Sequence, residues 1–280
     1  MRGGSLGDDG AGLSVVHPSA WIEPGAKLGE GVEVGPFCHV GANVRLADAV
    51  KLLSHVVVAG HTEIGPRTRI FPFASIGHEP QDLKYRGEPT RLRIGADALI
   101  REGVTINPGT EGGGGETVVG DGCVFLANSH VGHDCRLGQA VILSNNVMLA
   151  GHCRVGDYAN FGGGSAVHQF TRIGAYAFVG GLTGVTEDLI PFGVAIGNRA
   201  ELGGVNVVGM KRRGFSLEDV QNVRRAYKAL FAEEGTLKQR VEQVAREYAD
   251  SAAVQAIVAF LREGGDRGVT TPRQRADEPA

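Results

Sequence analysis

The chain of 280 residues carries 28 basic and 31 acidic side chains, and a formal net charge of −3 gives no global basis for holding nucleic acid. No apolar run approaches the ~18 residues that cross a bilayer, and residues 1–13, MRGGSLGDDGAGL, lack the apolar block of a secretory signal. A soluble protein without stable membrane insertion is expected, and its 44 glycines with only 6 % aromatics suit many tight corners around a narrow aliphatic core.

Residues 1–13 read as a disordered arm. From Val16 to Ile76 an aliphatic residue returns at every sixth position, eleven times in all, and the phase resumes at Ile94, Ile100 and Ile106. From Val119 to Val185 an aliphatic or aromatic marker returns twelve times without a slip. A period of six is neither the 3.6 of a helix nor the 2 of one long strand; it marks an all-β solenoid of stacked short strands over 14–190. At three hexads per triangular coil, the 26 markers make between eight and nine coils. With coils ~4.8 Å apart, the prism should be about 40 Å tall.

Two stretches interrupt the repeat. Residues 77–93, GHEPQDLKYRGEPTRLR, are polar and contain two prolines, so they should loop out of the wall. Residues 107–118, NPGTEGGGGETV, carry four glycines in a row and shift the register by one residue; no strand-to-helix pattern surrounds them, which argues for a surface loop over a phosphate cradle. After Val185 the period fails. Residues 191–215 read as a connector and 216–263 as an α-helical domain, with Ser216/Asp219 and Thr236/Gln239 as capping boxes, a third helix over 251–262, and a disordered tail over 264–280.

Cys38, Cys123, Cys135 and Cys153 each stand four residues after a marker, where such coils take a small inward side chain. None is spaced as in a zinc cluster, so they read as unpaired packing residues in a reducing, cytoplasmic setting. Between Lys211 and Lys228 six basic residues, including Arg212, Arg213, Arg224 and Arg225, face only Glu218 and Asp219, which reads as a solvated helix face or a dock for an acidic partner.

Histidine is the side chain best suited to take a proton near neutral pH, and His130, His133, His152 and His168 fall in the uninterrupted half of the solenoid. His133 and His152 are one 18-residue coil plus one residue apart, which puts them on neighbouring coils at roughly 6 Å between Cα atoms. With His168 they are expected to form a ladder of imidazoles. Asp134 could orient His133 through the ring nitrogen that does not meet substrate, provided a corner brings the two together.

The stretches QDLKYRGEPT (81–90), IREGVTI (100–106), NSHVGHDC (128–135), LAGH (149–152), VHQF (167–170) and GVNVVGMKRRGF (204–215) together resemble the acyl-carrier-protein–UDP-N-acetylglucosamine O-acyltransferases that open lipid A synthesis. The likeness runs in order from about Val16 to Arg262. It implies a homotrimer of left-handed parallel β-helices, each followed by a small helical domain, with active sites between subunits, and transfer of an (R)-3-hydroxyacyl chain from acyl carrier protein to the 3-hydroxyl of UDP-N-acetylglucosamine. No metal or other cofactor is implied.

Carried over by position, the resemblance makes His133 the general base, Asp134 its orienting carboxylate and Gly151 the oxyanion donor. It gives Asp82, supported by Gln81 and Lys84, the glucosamine hydroxyls, while His130, His152, His168 and Gln169 line the cleft. Asn206 and Arg213 take the nucleotide, and Lys211, Arg212, Arg224 and Arg225 receive the carrier protein. Gly181 matches the chain-length gauge, and a residue without a side chain implies a long donor of roughly 12–14 carbons. Asn107, Arg199 and Val208 depart from the residues expected at their positions, a histidine at 107 among them. The rival readings are an N-acyltransferase on an amino-sugar nucleotide, whose usual N-terminal domain finds no room before Val16, a zinc γ-class carbonic anhydrase, and a non-catalytic scaffold.

Overall fold

Each hexad supplies one short strand and one corner. In the computed structural model, which describes residues 13–273, the strands assemble into three sheets of eleven, nine and eight members, here faces A, B and C. The chain visits the faces in turn, so a strand pairs in parallel with the one a coil later. Val124–Phe125 pairs with Ile142–Leu143 on face A, His130–Val131 with Met148–Leu149 on face B, and Arg136–Leu137 with Arg154–Val155 on face C. The architecture is the expected left-handed parallel β-helix followed by helices.

Three local rules explain why this sequence winds so. Every marker from Val34 to Val185 is buried and builds the axial core, with Phe125 and Phe161 among its largest side chains, while Val16 at the open first coil is 40 % exposed. At many coils the residue after a marker abuts the next coil: a Cβ on Gly120 would lie 2.6 Å from the Gly138 carbonyl carbon, so glycine is required at 120. Three residues after most markers the chain turns through left-handed backbone, and sixteen non-glycine residues, Asp134, His152 and Phe170 among them, hold φ between 52° and 65°.

All four cysteines are buried and unpaired, as expected of packing residues. Cys135 Sγ donates to the Ala150 carbonyl at 3.2 Å, and burial pushes the Cys123 thiol up to about 11.

The two insertions are shorter than expected. Arg91–Ile94 pairs with His61–Ile64 on one side and Glu116–Val119 on the other, so the loops occupy 77–90 and 107–115. Arg91, Arg93, Glu116 and Val118 are wall residues whose side chains point outward, while Leu92 and Thr117 alternate into the core. Beyond Val185, Gly193–Ile196 extends face A in parallel and Glu201–Val205 closes it antiparallel. Helices α1 (Val207–Arg212), α2 (Leu217–Leu230), α3 (Leu237–Glu247) and α4 (Ala252–Glu263) follow, and both capping boxes are present. No helix among the described residues is long and apolar enough to cross a membrane.

Residues 264–273 do not fray as expected. Val269 bridges Asp188, the Thr270 N–H donates to the Asp188 carbonyl at 2.8 Å, and Thr270 is buried because this strip lies in a slot beside the last coil. Residues 1–12 of the expected arm and 274–280 of the expected tail lie outside the described residues.

The coil contact gives a direct test. Gly120→Ala should lower stability by about 1–3 kcal/mol in chemical denaturation, because the facing backbone cannot give way. Gly112→Ala, with nothing within 4 Å of the added carbon, should leave the midpoint unchanged.

Candidate active site

Both insertions leave the wall between face B and face C, and the corner after Val131 turns on the same edge. Here the backbone at Asp134 is left-handed, with φ 60°, and this supplies the corner that a contact between neighbouring residues demands. Asp134 Oδ2 lies 2.8 Å from His133 Nδ1.

Asp134 is held from three further directions. Its Oδ1 accepts from the Thr110 N–H at 2.8 Å, its Oδ2 accepts from the Thr110 hydroxyl at 2.6 Å, and its own N–H donates to Thr117 Oγ1 at 2.8 Å. Burial pushes the carboxyl up, but the hydrogen bonds from His133 and Thr110 outweigh it and hold the group below the ordinary carboxylate value. An ionised Asp134 can only accept, so in the neutral form of the ring Nδ1 of His133 carries the proton and Nε2 the lone pair.

That ring lies flat over Gly151 in the next coil. A Cβ there would come 2.5 Å from His133 Cε1 and 2.6 Å from Nε2, so glycine at 151 is needed by the imidazole itself. The Gly151 N–H donates no backbone hydrogen bond among the described residues. The arrangement can therefore remove a proton at Nε2 and offer an amide donor beside it.

His152 stands edge-on to His133, with ring centroids 4.9 Å apart, and its Nε2 is 3.8 Å from Asp134 Oδ2. Burial lowers the proton affinity of His152, Asp134 opposes this and His133 adds to it; the net shift is downward, which leaves the ring neutral near pH 7. His130 meets Thr105 Oγ1 through Nδ1 at 2.7 Å, and burial with the nearby His133 lowers it likewise.

The expected ladder of three imidazoles does not form. Phe170, 18 residues after His152, stacks on it at 4.4 Å, whereas His168 stands two residues short of that register and points outward, its Nδ1 3.2 Å from the Gln169 carbonyl. His168 and Gln169 remain on the same edge one coil higher. Gln81, Asp82 and Lys84 sit on the 77–90 loop of this edge, and the charges of Asp82 and Lys84 reach His152. Asp82 Oδ1 accepts from the Lys84 N–H at 3.0 Å.

The remaining candidates stand elsewhere. Arg213 places its guanidinium 4.5 Å from the Tyr158 ring, at the edge between faces C and A. Asn206 caps α1, accepting from the Gly209 N–H at 2.9 Å and donating to the Tyr176 carbonyl at 2.9 Å. Gly181 lies at the edge between faces A and B, where a Cβ would meet only Gly163. Lys211 and Arg212 end α1, while Arg224 and Arg225 project from α2, all four exposed. One chain thus spreads the candidates over all three edges.

Sequence reasoning missed Thr110, Thr117 and Phe170. Phe170 was open to the 18-residue rule, but Thr110 reaches across 24 residues through the shorter insertion, a spacing no coil count predicts. His133, Asp134 and His152 are also the one trio among the described residues whose ligand atoms, all within 4.8 Å of one another, have the spacing a metal ion needs.

Comparison with known proteins bears on this geometry. Residues 188–270 match the family model described as domain 2 of UDP N-acetylglucosamine O-acyltransferase, and residues 14–48 match that of the bacterial transferase hexapeptide. An acyl-[acyl-carrier-protein]–UDP-N-acetylglucosamine O-acyltransferase from Methylobacterium radiotolerans is 65 % identical over 205 residues, 73 % of this chain and 75 % of that one. A crystal structure of a UDP-N-acetylglucosamine acyltransferase superposes with a TM-score of 0.89 at 41 % identity, over 92 % of this chain and 99 % of that one. The acyltransferase from Campylobacter jejuni follows with a TM-score of 0.87 at 37 % identity, over 92 % and 100 %. With the repeat, the edge and its two insertions in hand, these likenesses leave one conclusion: the chain belongs to the acyl-[acyl-carrier-protein]–UDP-N-acetylglucosamine O-acyltransferase family.

Proposed function

We propose that this chain moves an (R)-3-hydroxyacyl group from acyl carrier protein to the 3-hydroxyl of UDP-N-acetylglucosamine, the first step of lipid A synthesis, with His133 as general base. The observation that carries the assignment of His133 is the placing of its ring: Nδ1 faces, at 2.8 Å, a carboxylate fixed by Thr110, and Nε2 stands over Gly151 clear of that contact. Nε2 takes the proton of the sugar hydroxyl as its oxygen attacks the thioester carbonyl carbon. The tetrahedral oxyanion is met by the Gly151 N–H, and Asp134 stabilises the imidazolium. Collapse breaks the carbon–sulfur bond, and the departing thiolate takes the proton from Nε2. The donor thioester supplies the activation, so no cofactor enters.

The sugar would be held by Asp82 with Gln81 and Lys84, and the cleft lined by His130, His152, His168 and Gln169. Asn206 and Arg213 would take the nucleotide. They stand at the edge between faces C and A, and Gly181 at the edge between faces A and B, which supports a site shared between copies.

The walls support a closed ring of three. Outward residues of the upper coils are mostly apolar on face A (Val124, Ile142 and Phe178, with Asn160 between the last two) and on face B (Met148 and Ala166, above His130), but on face C the outward positions carry Arg93, Arg136 and Arg154. Two unlike apolar walls can pair head to tail and close a cyclic trimer, leaving face C to water. The exposed Lys211, Arg212, Arg224 and Arg225 would receive the acidic carrier protein, and the reaction would run in the cytoplasm.

The metal reading is weaker, because Asp134 Oδ2 already accepts from Thr110 and His133.

Purified protein with UDP-N-acetylglucosamine and a series of 3-hydroxyacyl carrier proteins should yield the acylated sugar nucleotide by mass. His133→Ala should cut kcat by about 10²–10⁴ in a protein that remains folded at the assay temperature. Full turnover in that variant would remove the mechanism. Gly181→Met should move the preferred donor from roughly 12–14 carbons to a shorter chain by filling the open edge; an unchanged preference would take Gly181 out of the acyl groove.

Asp134 also makes stability depend on pH. Its folded proton affinity lies below the ordinary value of 3.8, so its contribution is present above that pH and fades as pH falls through the folded value. Asp134→Asn should therefore cost about 1–3 kcal/mol at pH 7, and the gap to the parent should narrow on acidification below 3.8, read as the difference in melting temperature.

A further inference from the structure

Asn107 opens the shorter insertion, where a histidine was expected. It is 4 % exposed, and its main-chain N–H donates to the Val131 carbonyl at 3.1 Å, in the coil that carries His133. Its side-chain Nδ2 donates to the carbonyls of His78 and Glu79 at 3.1 and 3.2 Å, two consecutive residues at the start of the 77–90 loop. Both partners are acceptors, so only the amide nitrogen can face them; the flipped amide would set oxygen against oxygen. Oδ1 is left buried without a donor among the described residues. The side chain thus serves the loop as a donor at the expense of its own acceptor.

Three residues on, Thr110 makes its two bonds to Asp134. Asn107, Pro108, Gly109 and Thr110 are all buried, so they form a short clip between two parts of the site. One end holds the loop that carries Asp82, and the other holds the carboxylate that orients His133.

We propose that Asn107 is a positioning residue for the acceptor: through His78 and Glu79 it sets where Asp82 stands relative to His133 Nε2, without touching substrate. The proposal rests on the acyl-transfer reading above. A histidine at 107 could still present one ring N–H to the same carbonyls, whereas alanine presents none.

Steady-state kinetics with UDP-N-acetylglucosamine varied at saturating 3-hydroxyacyl carrier protein separate the possibilities. Asn107→Ala should raise KM for the sugar nucleotide about tenfold, the effect expected of losing two neutral hydrogen bonds, and leave kcat within about threefold. The pH profile of kcat should not move, since Thr110 and Asp134 are untouched, and Asn107→His should recover most of the lost affinity. Asn107→Ser, too short to reach both carbonyls, should give the same KM shift if the alanine variant proves unstable. Unchanged KM in a folded Asn107→Ala or Asn107→Ser protein, or a fall in kcat at constant KM, overturns the proposal while the parent's activity stands. A parent enzyme that forms no acylated sugar nucleotide overturns the acyl-transfer reading itself, and this proposal with it.

Discussion

The structure depends on one constraint: a coil must close in 18 residues so that every strand finds the backbone of the next. Val131 over Leu149 and Leu137 over Val155 are two instances of that register, and it fixes what each position of the hexad can be. The inward marker must be aliphatic or aromatic, the residue after it is glycine where, as at Gly120, the backbone of the next coil comes too close for a side chain, and the corner must accept a left-handed backbone. Wall residues have strand partners on both sides, so extra chain can leave only at corners, where no ladder hydrogen bond is broken. Both insertions leave on one edge, and that edge is where the chemistry collects.

The same stacking puts corner residues of successive coils in a column. Asp134, His152 and Phe170 stand at equivalent left-handed positions, and His133 sits one residue before the first of them. A buried carboxylate is costly unless its oxygens are satisfied, and Thr110 with His133 satisfies them. The arrangement keeps Asp134 charged where an apolar corner would neutralise it, and the charge in turn decides which nitrogen of His133 is protonated. The insertion that reads as a glycine-rich surface loop therefore holds the carboxylate of the proposed acid–base pair, by way of a threonine ahead of the glycines.

The period made the solenoid, its edges and the paired placement of His133 and His152 legible in the sequence, because a six-residue rule acts on every coil alike. It did not carry the ends of the insertions. Arg91–Arg93 and Glu116–Val118 look like loop because Arg91, Arg93 and Glu116 are polar, yet Leu92 and Thr117 alternate into the core and make both stretches wall. His168 was placed in a ladder by counting coils to the nearest turn, but two residues of phase separate facing the column from facing water. Thr110 and the slot that orders Val269 and Thr270 are tertiary contacts across spacings with no period. Such contacts leave no pattern in one sequence.

The claim on which the rest turns is that the carboxylate of Asp134 fixes the tautomer of His133. Nitrogen-15 NMR of the histidine side chains, with the His133 signals assigned through the His133→Ala variant, reads this directly in the neutral form of the ring. The account predicts a protonated Nδ1 with a strongly hydrogen-bonded proton and a bare Nε2. A protonated Nε2, or a ring that exchanges freely between tautomers, would contradict it.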